Sequence, residues 1–196
     1  SPNSKYAYAS SSGTLQASGS DAVSGYSALL QTIAWGSGVT AAGSASAGNV
    51  NDHNVDPGFL YLGKYNENPG YTLGDGYSFE SKPYGVYFSY KYYPYKSDDQ
   101  FTVEVVVAND DEILGRCIKT IGGRQEEFKM DEVIINYNWF KKLSKATHVY
   151  ILVKSGEVVG SKSSNVNLVF DASIFSSGSV HIGSKLYIDN IQLKYE

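Results

Sequence analysis

From residue 58 onward, apolar side chains recur at every second position, and no convincing stretch shows the spacing of a helix. In QFTVEVVVAN, the apolar row from Phe101 to Val107 shares one face, with Thr102 and Glu104 on the opposite face. About eight to ten such strands, joined by turns and without interleaved helices, favour an all-β fold. We therefore predict an antiparallel β-sandwich.

Turn residues and apolar runs indicate where several of these strands lie along the chain. The polar run from Asn109 to Glu112 predicts a turn, which makes ILGRCIKTI the hairpin partner of QFTVEVVVAN. FKMDEVIINY and THVYILVKS predict two more strands, separated by the loop NWFKKLSKA. KLYIDNIQLKYE is the last predicted strand.

Composition changes near Asp56, which bears on domain organisation. In residues 1–56, 29 of 56 residues are Ser, Gly or Ala, a composition that seldom buries enough apolar area to fold. GYSALLQTIAW, Gly25 to Trp35, is apolar enough to be a strand, so residues 26–35 should belong to the fold, followed by a loop of small residues from Ser37 to Gly48. We predict a partly ordered segment over 1–24 and a single β-sandwich domain over 25–196.

Charge and cysteine content exclude several classes of protein. Sixteen basic and twenty acidic residues give a formal charge of −4, and the scattered basic residues argue against a nucleic-acid partner. No apolar run approaches the ~20 residues of a membrane span. The single cysteine, Cys117, excludes an internal disulfide. We interpret Cys117 as a buried structural thiol, with a catalytic nucleophile as the alternative.

The stretch KPYGVYFSYKYYPY contains six tyrosines between Tyr84 and Tyr95. Alternation divides it into a core row and an outward row. The core row is Val86, Phe88, Tyr90 and Tyr92, and the outward row is Tyr87, Ser89, Lys91 and Tyr93. A tyrosine ring can stack on a pyranose while its hydroxyl bonds at the rim, so the outward row is a candidate glycan surface. Cross-strand aromatic packing that stiffens the sheet is the alternative.

No recognised catalytic motif occurs: the sequence lacks a nucleophile elbow, a P-loop, a zinc-protease motif and a Cys-x-x-Cys pair. A glycosidase would need two carboxylates across a cleft. The sequence offers candidates but cannot pair them: Glu80, Glu104, Glu126 and Glu127. Whether the chain is an enzyme stays open, and we favour a non-enzyme.

The last strand changes phase in its middle. Leu186 and Ile188 are in one phase and Leu193 is in the other, so a β-bulge is predicted at Asp189–Asn190. A carboxylate at a bulge suits Ca²⁺, which makes Asp189 a candidate metal ligand and calcium a candidate structural cofactor. The alternative is that Asp189 accepts bonds from backbone amides or pairs with a lysine.

Two segments resemble a known family. GDGYSFESKPYGVYFSYKYYPY is similar to the part of the putative carbohydrate metabolism domain (PCMD) family in which Gly-x-x-Phe and Pro precede a strand ending in Tyr-Lys-Tyr. GSKLYIDNIQLKYE resembles the closing strand of that family, and the resemblance covers roughly residues 25–196. The matching positions are Gly76, Phe79, Pro83, Tyr90, Lys91, Tyr92 and Pro94.

The resemblance implies a jelly-roll β-sandwich of galactose-binding-like topology. It also implies a secreted or surface-anchored protein, such as a bacterial outer-membrane lipoprotein active in polysaccharide utilisation, with a lipid anchor upstream of this chain. It supplies no catalytic residues. Because the chain begins at Ser1 without Met, we expect it to be part of a longer protein.

The leading hypothesis is a non-catalytic carbohydrate-binding module, monomeric, that binds a polysaccharide or oligosaccharide by tyrosine stacking. Lys91 and Glu104 would add hydrogen bonds from neighbouring strands if those strands pair in hairpin order. Trp139, in the loop NWFKK, is either a plug on the end of the sandwich or a ligand platform. The predicted ligand-binding residues are Tyr87, Lys91, Tyr93, Glu104, Trp35 and Trp139.

Two other functions stay open. The aromatic surface could belong to a structural or adhesion module that packs on another protein domain. A glycoside hydrolase or lyase ranks third, because no acidic pair can be assigned.

Overall fold

A computed structural model describes residues 14–36, 53–63, 76–95, 97–141, 143–156, 161–162, 169–170 and 181–195. These residues form fourteen strands, two single-turn 3-10 helices at Gly19–Asp21 and Trp139–Lys141, and no α-helix. The strands are β1 Thr14–Ser18, β2 Tyr26–Gly36, β3 His53–Asp56, β4 Phe59–Leu62, β5 Tyr77–Ser78, β6 Gly85–Tyr93, β7 Gln100–Asn109, β8 Glu112–Gly122, β9 Gln125–Ile134, β10 Asn136–Tyr137, β11 His148–Lys154, β12 Ser161–Lys162, β13 Val169–Phe170 and β14 His181–Lys194.

The strands form two antiparallel sheets. Sheet A has the order β12-β3-β2-β14-β6-β9, with β1 beside β2 and β13 beside β14. Sheet B has the order β10-β8-β7-β11-β4, with β5 beside β11. The predicted all-β sandwich is confirmed.

Eight of these strands show the jelly-roll topology through their pairing. The hairpin β7–β8 lies innermost in the sequence, and β6–β9, β4–β11 and β2–β14 pair around it in turn. A nested antiparallel ribbon of this kind, wrapped into two sheets, is a jelly roll. The wrapping places β6 in sheet A and β7 in sheet B, so these consecutive strands do not pair. The hairpin order that would have made Lys91 and Glu104 neighbours is therefore wrong.

The predicted alternation decides which side chains enter the core. Val86, Phe88, Tyr90 and Tyr92 on β6 are all buried, as is the apolar row of β7 from Phe101 to Val107. The Phe101 ring lies 5.0 Å from the centroids of both Tyr90 and Tyr92, so aromatic pairs link the two sheets. The core row predicted for the tyrosine strand is confirmed.

Side chains on the outer face of sheet B are also buried around β7. Val106, Ala108 and Tyr150 form a second small buried cluster there. Gly76 lies against this cluster, since a Cβ atom on it would come within 2.8 Å of the Tyr150 ring. The resemblance matched Gly76, and this close approach is a physical reason for glycine at that position.

Residues 14–24 pack on the sandwich. β1 pairs with the first half of β2 in register from Thr14↔Leu30 to Ser18↔Tyr26. Residues 26–35 belong to β2, as predicted, whereas the predicted loop from Ser37 to Gly48 lies outside the described residues.

Candidate functional site

The outward row of β6 lies on the outer face of sheet A, as alternation predicts. The register places Lys91 beside Tyr187 of β14, Tyr93 beside Lys185, and Tyr87 beside Gln192. Tyr87 and Tyr93 are both half-buried. The outer face of sheet A therefore carries aromatic side chains from β6 and β14 next to polar ones.

The connection from β1 to β2, residues 19–25, folds across the middle of this face. Lys91 is only 6% exposed because this loop covers it. Its Nζ donates to the Ser20 carbonyl, lies 3.5 Å from the Asp21 carboxylate and sits 4.9 Å from the centroid of the Phe128 ring. Lys91 thus holds the loop on the sheet, and its direct contact with a ligand stays a prediction.

Asp189 holds the other side of the same loop. Its Oδ2 accepts hydrogen bonds from the backbone N–H groups of Val23 and Ser24, at 2.8 and 3.3 Å. Its Oδ1 accepts from the N–H of Asn190 at 2.7 Å. Asn190 has φ +51°, and the β14–β6 register shifts after Asp189, so the predicted bulge is confirmed.

A calcium ion at Asp189 stays a prediction. Both carboxylate oxygens accept backbone bonds, which matches the alternative role considered for this residue. Within the described residues, no group of three or more His, Cys, Asp or Glu side chains could hold a metal. A thermal melt that shifts with Ca²⁺ and reverts in EDTA would support the ion.

The first of two aromatic clusters on this face is the Tyr93 cluster: Tyr93, Arg124, Glu126 and Tyr187. Tyr93 meets Tyr187 edge to face with ring centroids 6.0 Å apart. The Arg124 guanidinium lies 5.2 Å from the Tyr93 ring and donates to the Glu126 carboxylate at 2.6 Å. The Tyr93 hydroxyl donates to the Glu126 carbonyl at 3.4 Å. The cluster therefore combines an aromatic surface with an exposed cation and carboxylate.

The second is the Tyr87 cluster: Tyr84, Tyr87, Glu132 and Lys194. The Lys194 ammonium lies 4.2 Å from the Tyr87 ring centroid and 4.8 Å from that of Tyr84. It also donates to Glu132 Oε2 at 2.5 Å. Two rings and a charged pair converge here, and the cluster lies on β6 six residues from Tyr93, about 20 Å along a strand.

These clusters offer the chemistry that a neutral polar ligand needs. Tyrosine rings give apolar stacking area with hydroxyls at the edge. The ammonium and guanidinium groups donate, and the carboxylates accept, charge-assisted hydrogen bonds. Within each cluster the cation has an acidic partner, which favours a neutral ligand over a strongly charged one.

Glu104 and Trp139 lie apart from this face. Glu104 is on the outer face of sheet B, 7% exposed, and pairs with Arg116 at 2.7 Å. Trp139 is in the 3-10 helix between β10 and β11, at an end of the sandwich, and is 75% exposed. The backbone of Trp35 is in β2, but its side chain lies outside the described residues. The predicted ligand-binding residues therefore do not form a single site, and the roles of these three stay predictions.

Several residues of the clusters were missed from sequence. Lys194, Glu132 and Arg124 join the tyrosines only because β14 and β9 flank β6. Gln31 of β2 is also buried on this face, in register with Lys185, and its Nε2 has no hydrogen-bond partner among the described residues. The phase of β14 after the bulge would have placed Lys194 on the outer face, but no sequence signal named its neighbours.

Cys117 packs against the core from β8 and is half-buried. Burial raises the pKa of its thiol, and the nearby Lys119 offsets that rise in part. A raised pKa leaves less thiolate at neutral pH, which agrees with a structural role.

Comparisons with solved structures identify two relatives in fold. The first is a crystal structure of a putative glycoside hydrolase from Bacteroides thetaiotaomicron VPI-5482, with a TM-score of 0.55 and 16% identity over 93% of this chain. The second is a crystal structure of a putative glycoside hydrolase from Bacteroides vulgatus ATCC 8482, with a TM-score of 0.52 and 15% identity over 93% of this chain. This chain spans 57% of the first and 77% of the second. At such identities the likeness shows the fold alone.

Sequence comparisons add no family. No protein-family model matches the chain, and a search of curated proteins finds no match. In the described part of the chain, no helix is long and apolar enough to cross a membrane.

Proposed function

We propose that this chain is a non-catalytic carbohydrate-binding module that binds a glycan on the outer face of sheet A. The observation that carries the proposal is the pair of tyrosine clusters on one face, each with a cation and a carboxylate beside the rings.

Two further observations support a glycan ligand. The two proteins of similar fold are putative glycoside hydrolases, and the tyrosine strand resembles the PCMD family. On the resemblance we further propose membership of that family. We also propose a secreted or cell-surface location, with a lipid anchor upstream of this chain.

Affinity electrophoresis in gels cast with a panel of polysaccharides tests the proposal. We expect at least one polysaccharide to retard the protein, and Tyr87→Ala and Tyr93→Ala each to weaken binding about tenfold, equivalent to ~1.4 kcal/mol. Tyr77→Ala is a matched control, since Tyr77 is an exposed tyrosine on β5 of sheet B. Because Tyr87 and Tyr93 are half-buried, each variant must first show a wild-type melt or be compared at a temperature where it is folded.

Unchanged retardation in both tyrosine variants would refute a glycan site on this face. Equal loss in the Tyr77 control would place the binding elsewhere.

A structural or adhesion module is the second candidate. The side chains of Met130 and Ile134 on β9 favour it, since they are 70% and 42% exposed on the same outer face. Concentration-dependent association without affinity for any polysaccharide, weakened by Met130→Ser, would support this function over the first.

A further inference from the structure

Three large apolar side chains project into solvent from the loop between β10 and β11. Trp139 is 75% exposed, Phe140 is 95% exposed and Leu143 is 98% exposed. Three large exposed apolar groups within five residues of one loop make that loop a candidate interaction surface. They lie outside both tyrosine clusters, so the proposed glycan site does not account for them.

Hydrogen bonds hold this loop in shape, so its exposure does not come from an unanchored chain. Asn138 N–H donates to the Leu114 carbonyl at 2.8 Å, and the Asn138 side chain accepts from Phe140 N–H at 3.0 Å. Ser144 N–H donates to the Lys141 carbonyl at 3.1 Å. These bonds hold the loop backbone in place. The side chains of Trp139, Phe140 and Leu143 are named here the apolar tip.

Lysines flank the apolar tip in sequence, and Lys82 approaches its backbone in space. Residues 136–148 contain Lys141, Lys142 and Lys145 and no acidic residue. Lys82 donates to the Lys141 carbonyl at 3.4 Å.

Acidic residues at this end lie on the β7–β8 turn and at exposed Glu80, which follows Phe79 where the Phe79 N–H donates to the Thr147 carbonyl. Glu112 pairs with Lys141 at 2.8 Å, and Asp110 Oδ1 accepts from Thr147 Oγ1 at 3.2 Å. Asp111 is exposed on the same turn. Exposed Lys145 lies on the apolar loop itself, so the charged side chains that the loop carries are all basic.

We propose that the apolar tip inserts into the surface of an anionic phospholipid membrane. Trp, Phe and Leu flanked by lysines is the composition of segments that lie in the membrane interface. Anionic headgroups attract such lysines, whereas zwitterionic headgroups do so less. A sugar ligand fits the tip poorly, because Phe140 and Leu143 have no hydrogen-bonding group. A protein partner would need a pocket shaped for each of the three exposed side chains, whereas acyl chains adapt to them.

Vesicle co-sedimentation tests this proposal with the full chain. We expect binding to vesicles of phosphatidylglycerol and phosphatidylcholine, at least tenfold weaker binding of the variant W139S/F140S/L143S, and several-fold weaker binding to phosphatidylcholine alone. The three side chains are mostly exposed, so the variant should keep the wild-type melting temperature. Leu143→Ser alone, the most exposed position, gives a milder version should the triple variant fail to fold.

Tryptophan emission gives an independent measurement, because Trp35 and Trp139 are the two tryptophans of the chain. Vesicles should shift the emission to shorter wavelength, and Trp139→Phe should abolish that shift while keeping most of the vesicle binding. Tyr87→Ala and Tyr93→Ala should bind vesicles as the wild type does, which separates this proposal from the glycan site.

Three results would overturn the membrane contact. They are no sedimentation with anionic vesicles, equal sedimentation of the triple variant, and loss of polysaccharide binding or of self-association in that variant without any vesicle binding.

Discussion

Tyr137 shows how one side chain can make the fold sensitive to pH. Its hydroxyl donates to the Pro83 carbonyl at 2.6 Å, which ties β10 to the segment before β6. Burial raises the pKa of Tyr137 above its usual value of 10.0, with a further contribution from Tyr195. The backbone of Gly115 lies against this ring, since a Cβ there would come within 2.7 Å of it.

Stability should therefore fall above pH 10. In the folded protein Tyr137 keeps its proton, whereas in the unfolded chain it loses it once the pH passes its ordinary pKa of 10.0. The unfolded state is favoured as pH rises through that range, and below pH 10 the contribution of Tyr137 is constant. Denaturant unfolding at pH 8, 10 and 11 measures the effect.

Tyr137→Phe is the matched variant for this pH dependence. It should be less stable at pH 8 by ~1 kcal/mol, because it loses one hydrogen bond. Its stability should then fall less between pH 10 and 11 than that of the wild type. Burial also raises the pKa of Tyr90 and Tyr95, so some dependence should persist. An identical loss of stability in both proteins between pH 10 and 11 would show that other tyrosines cause the pH dependence.

At the scale of elements, the 19–25 loop and the β14 bulge depend on each other. Asp189, the last residue before the bulge at Asn190, lies on the outer face in phase with Tyr187 and accepts from the loop amides of Val23 and Ser24. Lys91 binds the other end of the loop through Ser20 and Asp21. The loop therefore separates the Tyr93 cluster from the Tyr87 cluster.

Asp189→Ala should loosen this loop and lower the free energy of unfolding by about 1–2 kcal/mol, because two exposed amides lose a charged acceptor. Urea denaturation measures the change. Asp111→Ala is the control, since that carboxylate is exposed in the β7–β8 turn. An equal change in both variants would mean that Asp189 contributes only as a surface charge.

The alternation of apolar and polar residues predicted on which face of its strand each side chain lies, but not which strands are neighbours. It placed every second side chain from Val86 to Tyr92 in the core, and the change of phase located the bulge at Asp189, because both depend only on side chains of one strand. It did not predict that the chain changes sheet between β6 and β7, nor that a loop buries Lys91. Those features depend on pairing between strands far apart in sequence, which the period of one strand does not encode.

At the scale of the whole molecule, the jelly roll closes with its last strand. β14 lies between β2 and β6, and the buried Leu186 and Ile188 pack in the main core. The inner hairpin β7–β8 is local, but β2 and β14 are separated by most of the chain. Sheet A therefore has no continuous core face until the final residues are present.

A chain that ends at residue 180 should for this reason lack a cooperative thermal transition, because β2 and β6 would lose the strand that joins them. Far-UV circular dichroism and calorimetry measure this. A peptide of residues 181–196 added in excess should restore part of the transition by strand addition, whereas the same peptide with L186D/I188D should not. A cooperative melt near the wild-type temperature in the truncated chain would show that sheet B and the remaining strands form a stable core without β14. The closing strand would then be an addition to the sandwich rather than the element that completes it.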